Sequence, residues 1–166
     1  YRVLAAADGP HSAVARELGL APLTTVSTRQ YTVPLTRPYH DTDIWLCDAY
    51  PGGYAWLFPK GAHANLGLGI DPRIERDLKR PLDDLHRQLV AARRVGSEIS
   101  FRTGGAIPVG GLRERLAIGN IVFVGDAAGL THPITGAGIA AAVISGECAG
   151  RAAARHVRDD DRGALA

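Results

Sequence analysis

The sequence predicts an α/β chain in which a mostly antiparallel β region with one helix interrupts a fragment of an open α/β domain. Three observations carry this. Apolar runs of strand character stand near both ends, "RVLAA" and "GNIVFVGD", and each passes through a turn into a helical segment. Between them lies a stretch punctuated by Pro22, Pro34, Pro38 and Pro51, where apolar residues alternate with period two. Inside that stretch one segment has the spacing of an amphipathic helix. One domain inserted in another produces this order. On this reading residues 1–22 and 105–156 form the outer domain, 23–104 the α+β insert, and 157–166 a frayed tail.

Taken in order, "RVLAA" is a short strand closed by the turn residues of "ADGPHS". Ser12 is an N-cap residue for a helix reaching about Leu18. The runs "RQYTVPL", "DIWLC", "YAWLF" and "ANLGLGI" follow as strands. In "RPLDDLHRQLVAAR", Leu82, Leu85, Leu89 and Ala92 share one helical face, and the helix is expected to start near Pro81. "EISFRTGGAIPV" reads as a strand and a bend, "GNIVFVGD" as a buried strand, and Ile139 to about Arg155 as the last helix.

Composition narrows the function classes. The chain of 166 residues is 46% hydrophobic and 22% charged, the profile of a soluble globular protein large enough for a real core. A net charge of +2 points to neither nucleic acid nor an anionic membrane. The cationic runs "DPRIERDLKRP" and "AARRVG" have the mixed character of a solvated helix face. Cys47 and Cys148 match no metal spacing, and His40, His63, His86 and His132 form no HxxxH pair, so no structural metal is expected. Cys47 reads as a small buried apolar residue. Two cysteines and no signal peptide favour a reduced, cytoplasmic chain, with peripheral membrane contact left open. The apolar stretch Ile139 to Ala149 is too short to span a bilayer. The chain contains no methionine and opens inside a strand-like run, so it is read as an excerpt from a longer protein.

The stretch "GDAAGLTHPITGAGI" carries the most chemistry. In open α/β sheets ligands bind beyond the carboxyl ends of strands, where Asp126 would stand. An ionised carboxylate only accepts hydrogen bonds and suits sugar or polyol hydroxyls. Ala127, Ala128 and Gly129 leave space for a flat ligand, Pro133 enforces a turn, and Gly136 and Gly138 allow close backbone approach. The first-turn amides of the helix beginning at Ile139 suit an anion or an electron-rich carbonyl. Their dipole contributes roughly 0.3–1 kcal/mol, enough to tune a redox cofactor and too little to create its reactivity.

A second pattern lies in "PGGYAWLFPKGAHANLGLGI". Tyr54, Trp56 and Phe58 share one strand face, and Ala55 and Leu57 the other. Downstream, Ala64, Leu66, Leu68 and Ile70 alternate with Asn65, Gly67 and Gly69. A turn at Lys60–Gly61 would set Trp56 opposite Asn65 and Tyr54 opposite Gly67. One face is then filled and apolar. The other has aromatics beside glycines: either a trough for a long apolar chain, or ordinary packing of rings over glycines.

"GDAAGLTHPITGAGI" resembles the second FAD-binding motif of flavoproteins of the p-hydroxybenzoate hydroxylase type, and "ADGPHSAVAR" resembles their "DG" motif. Ser12 and Arg16 fit the latter with one extra residue before the arginine. "PGGYAWLFPKGAHANLGLGI" resembles the signature region of the geranylgeranyl reductase family, with Tyr54, Trp56, Phe58, Pro59, Lys60, Gly61, Asn65, Gly67 and Gly69 at the matching positions. The resemblance implies a partial FAD/NAD(P)-binding Rossmann-like domain around the insert. It also implies an oxidoreductase that moves hydride from a nicotinamide or other reductant to FAD, then to a prenyl double bond of an isoprenoid lipid, quinone or pigment precursor. Implied cofactor residues are Asp8, Gly9, Gly125, Asp126, Ala127, Pro133, Gly136, Gly138 and Ile139. Implied substrate residues are Tyr54, Trp56, Phe58, Lys60, Asn65 and Gly67. Lys60 meets a phosphate or the flavin edge, or is a solvated turn lysine. His132 is read as a positioning residue.

The family's upstream GxGxxG turn is absent, and "PVGGL" does not replace it. Two other readings therefore stand beside the reductase: a flavin hydroxylase or halogenase sharing both motifs, and a truncated lipid-binding fragment without catalysis. A phosphatase reading from "DTD" at Asp41 to Asp43 and "VGD" at Asp126 fails, because "TRPYH" rather than an apolar strand precedes the first cluster.

Overall fold

The computed structural model describes residues 1–159, 161 and 163–165. It contains two compact units, Tyr1–Thr25 with Ile107–Ala166 and Val26–Ala106. Of the tail 157–166, positions 160, 162 and 166 lie outside the described residues, and a helix occupies it up to Asp159.

In the first unit β1 (Leu4–Ala6) pairs in parallel with β8 (Ile121–Phe123), although more than a hundred residues separate them. The register sets Ala6 beside Phe123. A further strand missed in the sequence, β7 (Ala117–Ile118), makes a tight hairpin with β8 across Gly119–Asn120. α1 (Ala13–Glu17) follows β1, with Ser12 Oγ accepting the Ala15 N–H at 3.0 Å as the expected N-cap. Ala6, Ala15, Ile121, Phe123, Ala127 and Ala128 form a small core. α3 (Ile139–Asp159) ends four residues beyond the expected Arg155, and none of its described residues is buried. Ile139, Val143 and Ile144 are among the exposed large apolar residues. No helix among the described residues is long and apolar enough to cross a membrane.

The second unit is a five-stranded sheet in the order β3-β4-β5-β2-β6, with one helix. Its strands are β2 (Thr25–Pro34), β3 (Asp43–Trp45), β4 (Tyr54–Lys60), β5 (His63–Ile70) and β6 (Phe101–Pro108). The alternation read from the sequence sorts the faces correctly. Ala55, Leu57, Ala64, Leu66, Leu68 and Ile70 are fully buried beneath α2 (Lys79–Ala91), which lays Leu82, Leu85 and Leu89 on them. Full burial of each such leucine is worth about 1.5–3 kcal/mol. α2 starts two residues before Pro81, which therefore sits in its first turn, where a missing N–H costs nothing.

The hairpin register differs from the expected one by two residues. The turn is Gly61–Ala62, with Gly61 at φ +63° and Lys60 opposite His63, so Trp56 faces Gly67 and Phe58 faces Asn65. A two-residue loop with positive φ at its first position matches strand twist, which Lys60–Gly61 in that role would not do as well. A slip of two keeps every side chain on its face; a slip of one would have turned the core outward. Cys47 is exposed rather than buried. β3 ends at Trp45, so Cys47 lies in the turn beyond the sheet edge.

Candidate functional site

Two sets of candidate residues lie in different units. In the first, both loops leave the carboxyl edge of adjacent parallel strands: the chain runs from Ala6 to Asp8 and from Phe123 to Asp126, and Val124 N–H bonds Ala6 O at 3.1 Å. A ligand lying across that edge meets both loops at once.

After β8 the backbone winds into a short 3-10 turn, Gly125–Ala128. Asp126 is half-buried, and one carboxylate oxygen, Oδ1, accepts a 2.5 Å hydrogen bond from Thr131 Oγ1. Gly138 closes over this pair. A Cβ built there would lie 2.7 Å from Thr131 Oγ1 and 3.2 Å from Asp126 Oδ1, so no larger residue fits without moving them. Gly125 N–H donates to Ser145 Oγ on α3 at 3.0 Å. Arg113 holds the other side of the turn: Nε donates to Ala127 O at 2.6 Å, Nη1 to Ala21 O at 2.7 Å, and its backbone N–H to Ala128 O at 3.0 Å. Leu130 N–H returns to Gly125 O, so the loop is bonded throughout. A rigid turn then presents the second oxygen of Asp126, for which no hydrogen bond is found among the described residues.

The other expected cofactor residues fall around this turn or along the edge. Pro133 and Ile139 are exposed, and Gly136 has φ +68°, with its N–H on His132 O at 2.9 Å. His132 Nδ1 accepts the N–H groups of Ile134 at 3.3 Å and Thr135 at 3.2 Å, so its ring shapes the loop and leaves the Nε2 side as the donor. Asp8 is more committed than the motif suggests. Its Oδ2 accepts Ala13 N–H at 2.8 Å and Val14 N–H at 3.2 Å, while Gly9 turns the chain behind it. Burial opposes its ionisation, but the bonds from Ser12 and from the Val14 and Ala13 amides outweigh this and hold the carboxyl below its ordinary value.

This geometry fits the cofactor implied by the sequence: a carboxylate acceptor beside a helix start, in a cradle that a Cβ would fill. Thr131, Ser145 and Arg113 were not anticipated. Thr131 lay within the motif as a hydroxyl five residues after the aspartate. Ser145 and Arg113 left no local signal.

In the second unit Tyr54, Trp56 and Phe58 project from the face opposite α2. Tyr54 meets Trp56 edge-on at 5.6 Å, and Trp56 stacks on Phe58 at 5.8 Å and 20°. Gly67 lies under the Trp56 indole, which is 8% exposed, so the middle of the expected trough is filled by a ring lying flat. Asn65 accepts a long 3.4 Å bond from Thr32, and Lys60 stands exposed at the end of β4. The structure thus brings Tyr54, Trp56, Phe58, Asn65 and Gly67 onto one face, with Lys60 at its rim.

Residues 25–106 match the family described as the geranylgeranyl reductase catalytic domain. The chain belongs to the geranylgeranyl reductase family. It is 38% identical to a digeranylgeranylglycerophospholipid reductase of Methanocella arvoryzae over 99% of its own length and 43% of that protein's. Among solved structures it is similar to a geranylgeranyl bacteriochlorophyll reductase-like protein from Thermoplasma acidophilum. There the TM-score is 0.85 and the identity 30%, covering 97% of this chain and 43% of the other. The flavin-dependent halogenase CmlS shares the fold, with a TM-score of 0.70 and 18% identity over 98% of this chain and 32% of that one. The chain thus spans less than half the length of these proteins.

Proposed function

We propose that this chain is the flavin-proximal part of an FAD-dependent reductase that saturates double bonds of a prenyl chain. Family membership supports the reaction class, and the names of the curated relatives favour a digeranylgeranylglycerophospholipid among prenyl substrates. The observation that carries the cofactor assignment is Asp126, fixed by Thr131 under Gly138 at the strand edge, with one oxygen left to accept from hydroxyl groups.

FAD, when bound, supplies hydride from its reduced ring to the substrate double bond, chemistry that belongs to the cofactor. The chain's own residues bind and orient. Asp126 accepts hydrogen bonds from the ribityl hydroxyls. Gly125, Ala127, Pro133, Gly136, Gly138 and Ile139 line the ring side, where the first amides of α3 stabilise negative charge. Asp8 and Gly9 line the nucleotide path, with Asp8 acting chiefly by fixing the start of α1. Tyr54, Trp56 and Phe58 form the apolar wall for the isoprenoid, flanked by Asn65 and Gly67, and Lys60 meets the polar end. NAD(P)H is the electron donor in this reading, and a lipid substrate brings the protein to the membrane surface without crossing it.

The test uses the protein from the complete reading frame. Its near-ultraviolet and blue absorption is recorded for the parent and for Asp126→Ala, followed by turnover with geranylgeranyl-bearing lipids. Flavin bands in the parent, their loss in the variant and saturation of the lipid chains are expected. A parent that cannot be reconstituted with FAD ends the reading. Oxygen uptake coupled to an aromatic substrate, with no prenyl reduction, moves it to a monooxygenase.

A further inference from the structure

One residue outside every motif connects to the aromatic face. Gln30 on β2 stands opposite Gly67 on β5, which stands opposite Trp56 on β4, so the three form one rung across the sheet. The Trp56 indole lies along that rung. A Cβ on Gly67 would be 2.5 Å from Cε2 and 2.8 Å from Nε1 of the ring. The far end of the indole meets Gln30, with Nε1–H donating to Oε1 at 3.1 Å. Indole nitrogen is only a donor, so this bond also fixes which end of the Gln30 amide faces it.

The flat ring therefore depends on two conditions: no side chain at position 67 and an acceptor at position 30. The rung of Phe58 lacks the second. Phe58 sits across from Asn65 and Thr32, and a phenyl ring has no polar atom to tie; the Thr32–Asn65 contact joins those two residues alone. Without Gln30, a flat indole leaves its N–H unpaired at a partly buried site, whereas a raised indole pairs it with water. A raised ring would stand in the path of anything laid along Tyr54, Trp56 and Phe58.

We propose that Gln30 is the positioning residue that holds Trp56 down as the floor of the prenyl groove, and so keeps the groove continuous for a long chain. This rests on the prenyl-reductase reading above. Gln30 touches the indole and acts on the substrate only through it.

The test takes the full protein with Gln30→Leu, which keeps size and removes the acceptor, and with Gln30→Glu, which keeps an acceptor oxygen. Gly67→Ala unseats the ring by a separate route. The first readout is hydrogen exchange of the Trp56 indole N–H, its NMR signal identified by its loss in Trp56→Phe. Protection is expected in the parent and largely recovered in Gln30→Glu, and lost in Gln30→Leu and Gly67→Ala. The second is kcat/KM for geranylgeranyl against geranyl substrates. Gln30→Leu is expected to lower the ratio about tenfold, the equivalent of one lost hydrogen bond, chiefly through KM for the longer chain. Unchanged indole protection in Gln30→Leu overturns the proposal. So does lost protection with an unaltered chain-length ratio. If the parent reduces no prenyl chain, the groove falls with the function, while the exchange data still report whether Gln30 holds the ring.

Discussion

Asp126 and Thr131 work as one device. On the proposed cofactor assignment Asp126 grips hydroxyls, which requires that it point one way, and the 2.5 Å bond from Thr131 together with the closed space at Gly138 gives it that direction. Thr131→Val removes the bond and keeps the shape. A hydrogen bond to a charged group is worth about 1.5–3 kcal/mol, so FAD affinity in the full protein is expected to fall at least about tenfold. Titration of the apoprotein, followed by quenching of flavin fluorescence, measures this; unchanged affinity would mean that Asp126 needs no such support. At this scale the sequence was legible where chemistry is local. An aspartate after an apolar strand and a glycine before a helix declare themselves. Arg113 does not, because its targets at Ala21 and Ala127 become neighbours only on folding. Gln30 was hidden for the same reason: its partner is 26 positions away and two strands across.

Among the elements, the β4–β5 hairpin separates what periodicity decides from what turns decide. Alternation fixed the faces of both strands: Ala55, Leu57, Ala64, Leu66, Leu68 and Ile70 are buried on one, while on the other Trp56, Gly67 and Gly69 are covered as well. Register depended on which two residues make the turn, and period two is blind to a shift of two. The segment between β5 and α2 is held by a contact that composition did not reveal. Asp71, the residue after Ile70, receives Nε and Nη2 of Arg73 and also the Arg73 backbone N–H. The Arg73 side-chain bonds, then the backbone bond, bring its carboxyl from 3.8 down to about 2. A group whose pKa is depressed by folding stabilises the fold above its unfolded value, and that contribution fades as pH falls towards the folded value. Acid titration of stability is therefore expected to show a loss between about pH 4 and pH 2 that is smaller in Asp71→Asn, read from urea midpoints across that range. Equal slopes for parent and variant would place the acid sensitivity elsewhere.

For the whole molecule, the decisive feature is that the first unit is built from two remote segments. Its sheet joins β1 to β8, Asn120 Nδ2 donates to Arg2 O at 3.1 Å, and Arg113 reaches back to Ala21. The second unit has a core of its own, made from residues between Tyr31 and Val95. Where the chain leaves the first unit and where it returns are side by side: Val109 N–H bonds Thr24 O at 2.8 Å. Strand ends so close can be joined by a two-residue turn. Deleting 26–106 from the full protein and closing the gap with Asn-Gly is thus expected to leave the first unit able to fold. On the proposed assignment the shortened protein keeps its flavin absorption bands, because Asp126, Thr131, Gly138, Asp8 and Gly9 all remain. It loses prenyl reduction entirely, because Tyr54, Trp56, Phe58 and Gln30 have gone. A shortened protein with parent-like helical circular dichroism of the remaining unit but no flavin would show that the catalytic domain is itself part of the cofactor site. Retained turnover would remove the aromatic face from the reaction.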